Sequence, residues 1–355
     1  MLTTLLAFAL ALGILVVIHE LGHYWVARWC GVRILRFSVG FGKVLVRRTD
    51  RHGTEWALSA IPLGGYVKFL DGREAELPPA EAARAFDRQS VWRRIAIVVA
   101  GPAANLLLAS LLYALLFSWG VREPEPNQGP PLARIQAVMP DGAAAAAGLQ
   151  PGDVILEVAG RTDPDPDAFV TVIGRSTDQP VALRVLRDGN EQTLQVVPRR
   201  DPEAGVGRIG VQLGVNLTFR EVQYGPLESV WRGVERTADM AGTTLAMLGR
   251  MLIGQASWSQ ISGPVTIADY AGQTARIGLE AYIAFLAVVS VSLGVLNLLP
   301  IPMLDGGHLL YYLVEIVRGS PPPERWFDIG QRLGLSVLLT LMGLALFNDF
   351  VRLFG

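Results

Sequence analysis

Four long apolar stretches punctuate the chain, and the segments between them are rich in charge, glycine and proline. Residues 2–18, 95–120, 281–304 and 333–347 carry no charged side chain. At about 1.5 Å per helical residue, runs of this length with their flanks can cross a hydrocarbon layer. The pattern predicts four spans, in segments 1–30, 95–120, 278–310 and 333–352, with the first helix over 5–28.

Between the first two spans, in 31–94, alternation replaces the solid apolar runs. Residues 34–38, 43–48, 55–61 and 66–69 read as short strands, separated by Gly40-Phe41-Gly42 and Leu63-Gly64-Gly65. A small hairpin sheet is expected, with a loop packed on the helices as the alternative; 81–88 reads as a polar surface helix. Residues 122–131 form a Pro-, Glu- and Gly-rich linker, and 132–200 has an α+β pattern: strands at 132–139 and 154–158, helices at 141–149 and 166–174, and a hairpin of 181–187 with 192–198 about Asp188-Gly189-Asn190. In 224–253 the first half is charged and the second apolar. An amphipathic helix lying on the membrane surface fits this better than a fifth span, with a buried packing helix as its competitor.

Charge sets the direction. From Arg28 to Arg94 there are thirteen Lys or Arg against seven Asp or Glu, so this loop is assigned to the cytoplasmic side and the N-terminus and 132–200 to the other. The third span then runs inward, because Arg318, Arg325 and Arg332 follow it. Composition agrees with a membrane protein carrying an extramembrane domain: 51% of residues are hydrophobic, 18% charged, and the mean hydropathy is +0.35. A net charge of −1 gives no reason to expect a nucleic-acid partner. The single cysteine, Cys30, excludes an internal disulfide and a thiolate metal site. No Lys or Arg precedes the first apolar run, so it is read as a retained span rather than a cleaved signal.

The chemistry concentrates at the end of the first span. His19-Glu20-Leu21-Gly22-His23 sets two imidazoles one helical turn apart on one face, the H-E-x-x-H arrangement of zinc proteases. The bland reading is a pair of capping histidines. Ionisable groups in a membrane segment cost about 2.5 kcal/mol or more unless compensated, and a cation compensates three at once. A hydrolytic zinc centre needs a third protein ligand. Asp305 is the acid that topology carries to the same side; His308 is its rival. Glu20, next to the first imidazole, is the candidate general base. Pro300 and Pro302 stop the third helix, and Asn297 ahead of them can donate to a developing oxyanion, hold a substrate backbone, or simply bond another helix. Gly101-Pro102-Ala103-Ala104-Asn105 lets another helix approach closely, with Asn105 bonding across the gap. Asn105 is also taken, with Asn297, Gly65 and Tyr66, as a candidate substrate contact, since an open strand edge can hold a peptide extended for cleavage.

The run Ala147-Gly148-Leu149-Gln150-Pro151-Gly152-Asp153-Val154 and its continuation to Gly160 resembles the signature of a PDZ domain of bacterial proteases. Together with the HELGH pentapeptide, residues 101–105, and the stretch from Asn297 to Gly306, it makes the whole chain resemble the site-two protease family, the intramembrane zinc proteases of peptidase family M50. Gly65-Tyr66-Val67-Lys68 and the ending 342–350 narrow the likeness to a bacterial branch. The resemblance implies a polytopic inner-membrane protein of four helices, with a cytoplasmic-side hairpin sheet and a periplasmic PDZ domain followed by a helical region to residue 277. It implies zinc on His19, His23 and Asp305, Glu20 as base, and as substrate a single-span membrane protein, typically an anti-sigma factor already trimmed outside. That branch commonly carries two tandem PDZ modules and this chain has room for one. Two rival readings are a non-catalytic membrane adaptor recruiting partners through the PDZ domain, and a membrane-tethered protease of soluble peptides.

Overall fold

The computed structural model describes residues 2–73, 77–124, 132–201, 205–216 and 219–354. The chain divides into two compact units, Met1–Gly120 with Gln223–Gly355, and the intervening Val121–Val222.

The first unit opens with helix α1 (Leu2–Trp29), strands β1 (Ile34–Thr49) and β2 (Glu55–Phe69), a single turn α2 (Pro79–Ala82), and helix α3 (Val91–Trp119). Small residues bring α1 and α3 together: a Cβ on Gly22 would lie 2.2 Å from the Ala100 carbonyl oxygen, so the backbones meet without a side chain between them. The side chain of Ser90 accepts from the Arg93 amide and starts α3.

β1 and β2 fold back on themselves. Residues 34–39 pair with 65–69 on one side (Phe37 with Val67, Ser38 with Tyr66) and with 55–58 on the other (Phe37 with Trp56), while 44–49 pair with 55–59. The short strands expected from alternation are thus joined in pairs. Gly40, Gly42 and Gly64 make the bends at φ +89°, +82° and +118°, angles that glycine adopts at no steric cost. Among the described residues, 65–69 pair with a strand on one side only and so form an edge. Phe37, stacked on Trp56 at 4.6 Å, joins Tyr24, Ile97 and Tyr312 in the core beneath the sheet. The helix expected at 81–88 is confined to Pro79–Ala82. Phe86 turns inward instead, its amide donating to the Leu70 carbonyl at 2.7 Å and its ring stacking on Phe69 at 5.1 Å, because burying that ring outweighs continuing a polar helix.

The second unit contains β3 (Val121–Pro124), β4 (Ala133–Val138), α4 (Ala143–Ala146), β5 (Val154–Val158), β6 (Arg161–Thr162), α5 (Pro166–Arg175), β7 (Val181–Arg187), β8 (Asn190–Val196), β9 (Arg199–Arg200), β10 (Gly207–Arg208), β11 (Val211–Val215) and β12 (Phe219–Val222). A sheet in the order β11-β4-β5-β7-β8, with β6 on β5, buries Ile135, Ile155, Leu183 and Val185 against Phe169 of α5. Asp188 and Gly189 turn the β7–β8 hairpin at φ +48° and +81°, the two positive angles that match strand twist in a tight hairpin. The unit runs past residue 200, since β11 pairs with β4, and residues 121–124 pair with 219–222. The rest of the expected linker, 125–131, lies outside the described residues.

The first unit resumes with α6 (Pro226–Leu252), α7 (Pro264–Ile277), α8 (Leu279–Leu298), α9 (Asp305–Arg318) and α10 (Glu324–Phe354). α6 is amphipathic, and it is pinned to a long apolar helix. A Cβ on its Gly233 would meet the Ser110 carbonyl of α3 at 2.4 Å, and Ser110 Oγ donates to Thr237 Oγ1 at 3.1 Å. Leu227, Trp231 and Leu245 remain exposed. Asp349 of α10 accepts the backbone amides of Gly263, Val265 and Thr266 and so caps α7 from another helix. Among the described residues, four helices are long and apolar enough to cross a membrane: Leu2–Trp29, Val91–Trp119, Leu279–Leu298 and Arg325–Arg352. Leu2, Leu5, Leu6 and Leu10 of α1 are exposed, as suits a lipid solvent.

α8 stops at Leu298, short of the uncharged run's end at 304. Pro300 and Pro302 cannot continue it, and Met303 takes φ +82°, a left-handed angle rare for a side chain of its size. Gly306 and Gly307 pack directly beneath this turn, where a Cβ would lie 2.1 Å from the Leu299 and 2.5 Å from the Ile301 carbonyl oxygens, respectively.

Candidate metal centre

That turn delivers Asp305, the first residue of α9, to the histidine face of α1. His19 Nε2 and His23 Nε2 are 3.2 Å apart, and Asp305 Oδ2 lies 3.2 Å from the first and 3.5 Å from the second. This is the group of three metal-capable side chains found among the described residues. His308, the rival, lines the adjoining cavity but is not in the cluster.

The three atoms fit one cation. Ligands held tetrahedrally at about 2.0–2.1 Å from zinc stand about 3.3 Å from one another, which is the separation of this triangle. The His23 Nδ1–H donates to the Ile97 carbonyl at 2.8 Å; a carbonyl only accepts, so Nε2 keeps its lone pair toward the cluster. Asp305 Oδ2 is buried and accepts no hydrogen bond of good geometry. An orphaned carboxylate oxygen facing an imidazole lone pair is unfavourable by itself and is satisfied by a shared cation.

α3 forms the wall behind the imidazoles. A Cβ on Gly101 would lie 2.3 Å from His23 Nε2 and 2.9 Å from His19 Cε1; with any side chain there the pair could not keep this arrangement. Asn105, one turn on, is 1% exposed. Its Nδ2 stands 3.3 Å from His19 Nδ1, and its backbone carbonyl accepts Ser290 Oγ of α8 at 2.7 Å. Asn105 thus bonds across the gap to α1, as its small neighbours lead one to expect, and it also lines the cavity in front of the cluster. The signal was present in the small residues of Gly101-Pro102-Ala103-Ala104, which say that something approaches but not what.

A cavity of about 430 Å³ opens in front of the cluster and is lined by Glu20, Gly65, Tyr66, Asn297 and Met303, among others. Glu20 faces this cavity together with Val67 of the edge segment. Next to it Gly65 packs so closely that a Cβ would lie 2.9 Å from Val16 and 3.1 Å from Glu20. Asn297 reaches the cavity from the last turn of α8. The arrangement groups a three-ligand cation site, a carboxylate beside it, and a strand edge along one wall.

Comparison with known proteins agrees in kind. The sequence model of peptidase family M50 matches residues 7–341. A putative zinc metalloprotease of Ralstonia nicotianae is 37% identical over 456 aligned positions, covering 99% of each chain. One of Rhizobium meliloti is 40% identical over 373, covering 99% of this chain and 97% of its own. The regulator of sigma-E protease RseP of Escherichia coli is 34% identical over 443, covering 98% of each. A PDZ domain of an SdrC-like protein from Listeria innocua aligns structurally with 23% of this chain at 19% identity and a TM-score of 0.22.

Proposed function

We propose that this chain, which belongs to peptidase family M50, is an intramembrane zinc endopeptidase that cuts single-span membrane proteins. The observation that carries the reading is the triangle of His19, His23 and Asp305, two of its corners on a helix apolar enough to cross a membrane.

His19, His23 and Asp305 hold the metal, which supplies Lewis acidity to polarise the scissile carbonyl and make water acidic near neutral pH. Glu20 takes the proton of the attacking water and returns it to the leaving amine. The 65–69 edge, Gly65 and Tyr66 among it, holds the substrate extended by backbone hydrogen bonds. An intact helix gives a protease no accessible carbonyl, so extension must precede cutting. Asn297, facing the cavity, steadies the substrate carbonyl.

The substrate class we favour is an anti-sigma-factor-like protein shortened beforehand by a first cleavage. The chain sits in the inner membrane with its N-terminus and the 132–200 domain in the periplasm and the 31–94 sheet on the cytoplasmic side, as the Lys and Arg distribution supports. The second unit acts as a PDZ module that limits or receives what approaches. The Ralstonia alignment exceeds this chain's 355 residues by 101 positions and the Rhizobium alignment by 18, which supports one module here where longer relatives have room for another.

Co-expression of candidate single-span proteins with the wild type and with Glu20→Gln tests the reading. A shortened fragment formed by the wild type and absent with the variant is expected. Identical fragments from both would refute it.

A further inference from the structure

We propose that Asn105 is a positioning residue for His19, its side-chain oxygen accepting the His19 Nδ1 proton, so that α3 provides one acceptor to each metal-facing imidazole. The inference rests on the zinc reading above and concerns a residue outside the three metal ligands.

The argument begins with tautomers. His19 turns Nε2 toward His23 and Asp305. Once that nitrogen gives its lone pair to a cation, the ring's proton must be on Nδ1. Nδ1 then needs an acceptor, as metal-bound histidines generally have. The atom placed 3.3 Å away is Asn105 Nδ2, a donor, while the same amide's Oδ1 is buried without a partner. Oxygen and nitrogen of an amide occupy nearly the same shape. Rotating the amide by half a turn leaves one buried amide group unpartnered, as before. It replaces a donor facing a donor by a donor facing an acceptor.

The placement along α3 gives the idea its second support. The Ile97 carbonyl already takes the His23 Nδ1 proton. Gly101, four residues on, is the point where both rings lie against bare backbone, and Asn105 follows after another four. Residues four apart share a helix face, so acceptor, gap and acceptor stand in a row facing His23 and His19. Joining α3 to α8 does not need this side chain, because the Asn105 main-chain carbonyl receives Ser290.

The test measures zinc affinity, by competition with a chelator, in the full-length detergent-solubilised protein and in two variants. Asn105→Leu keeps the size and removes the acceptor; Asn105→Asp keeps an acceptor and removes the donor. We expect the Leu variant to lose about 10- to 100-fold in affinity and the Asp variant to stay within about threefold of wild type, since carboxylates serve as histidine partners in metal sites. An unchanged Leu variant, or an Asp variant as weak as the Leu variant, would overturn the proposal. A wild type without zinc would instead overturn the functional reading beneath it. If the Leu variant does not fold, the nitrogen-15 histidine spectrum of the zinc-loaded wild type decides among only four histidines. A protonated Nδ1 on His19 is the expected result, and ligation through Nδ1 the contrary one.

Discussion

Two aspartates, one in each unit of this protein, are treated in opposite ways. Asp153 in the second unit is 1% exposed. Its two oxygens receive Arg187 Nε and Nη2 at 2.7 Å each, and the Gln150 amide adds a third bond at 2.9 Å. Asp305 in the first unit meets two imidazole nitrogens and no guanidinium, and one of its oxygens accepts nothing. The first carboxylate is complete within the fold and can only stabilise it. The second is left with an open oxygen beside two imidazoles, and a carboxylate left open in this way points to a site of function.

The sharpest way to break this contrast is to remove a corner of the open cluster. Asp305→Asn and His23→Ala should each lose most bound zinc and all detectable cleavage, measured by metal analysis and by fragment formation. Glu20→Gln should slow cleavage by about 10²- to 10⁴-fold while retaining its zinc, which separates the base from the ligands. Gly101→Ala changes no donor atom, yet its methyl would need the space of His23 Nε2. A loss of at least about tenfold in zinc affinity is expected, read by the same chelator competition; wild-type affinity would mean that the helices separate freely at that point.

In the closed cluster, metal content should not change. Asp153→Asn leaves Arg187 without its partner and should cost about 3 kcal/mol, seen as faster hydrogen exchange in β5 and β7 of the full chain. Burial raises the Asp153 carboxyl, but Arg187 and the Gln150 amide outweigh it and hold it below the usual carboxylate range. A folded-state value below the unfolded one adds stability above the unfolded pKa of about 3.9. That contribution should disappear as pH falls through the lower folded value, with β5 and β7 losing protection below about pH 4.

The two aspartates also differ in how far they could be read in the chain. His19 and His23 were legible because helical spacing puts them on one face a turn apart, Glu20 because it adjoins the first of them, and Asp305 because counting spans brings it to the same depth. The hairpins at 34–69 were legible as alternation, though not their joining into two long strands, which depends on bends at Gly40 and Gly64. Ile97 and Gly101 were not legible as partners of the histidines, and Asn105 only as a residue bonding across a helix gap. A backbone carbonyl has no signature in sequence, and a glycine reports closeness without naming the neighbour. Nor was the Asp153–Arg187 pair, whose members are far apart in sequence and meet only because β5 lies beside β7. The start of α7 was hidden for a similar reason, since its cap comes from Asp349 on another helix.

The most direct test of the account is the zinc content of purified wild-type protein beside Asp305→Asn, both shown to be folded. About one zinc per chain in the wild type and far less in the variant is the predicted result. Equal zinc in both, or none in either, would contradict the claim that His19, His23 and Asp305 share one metal ion.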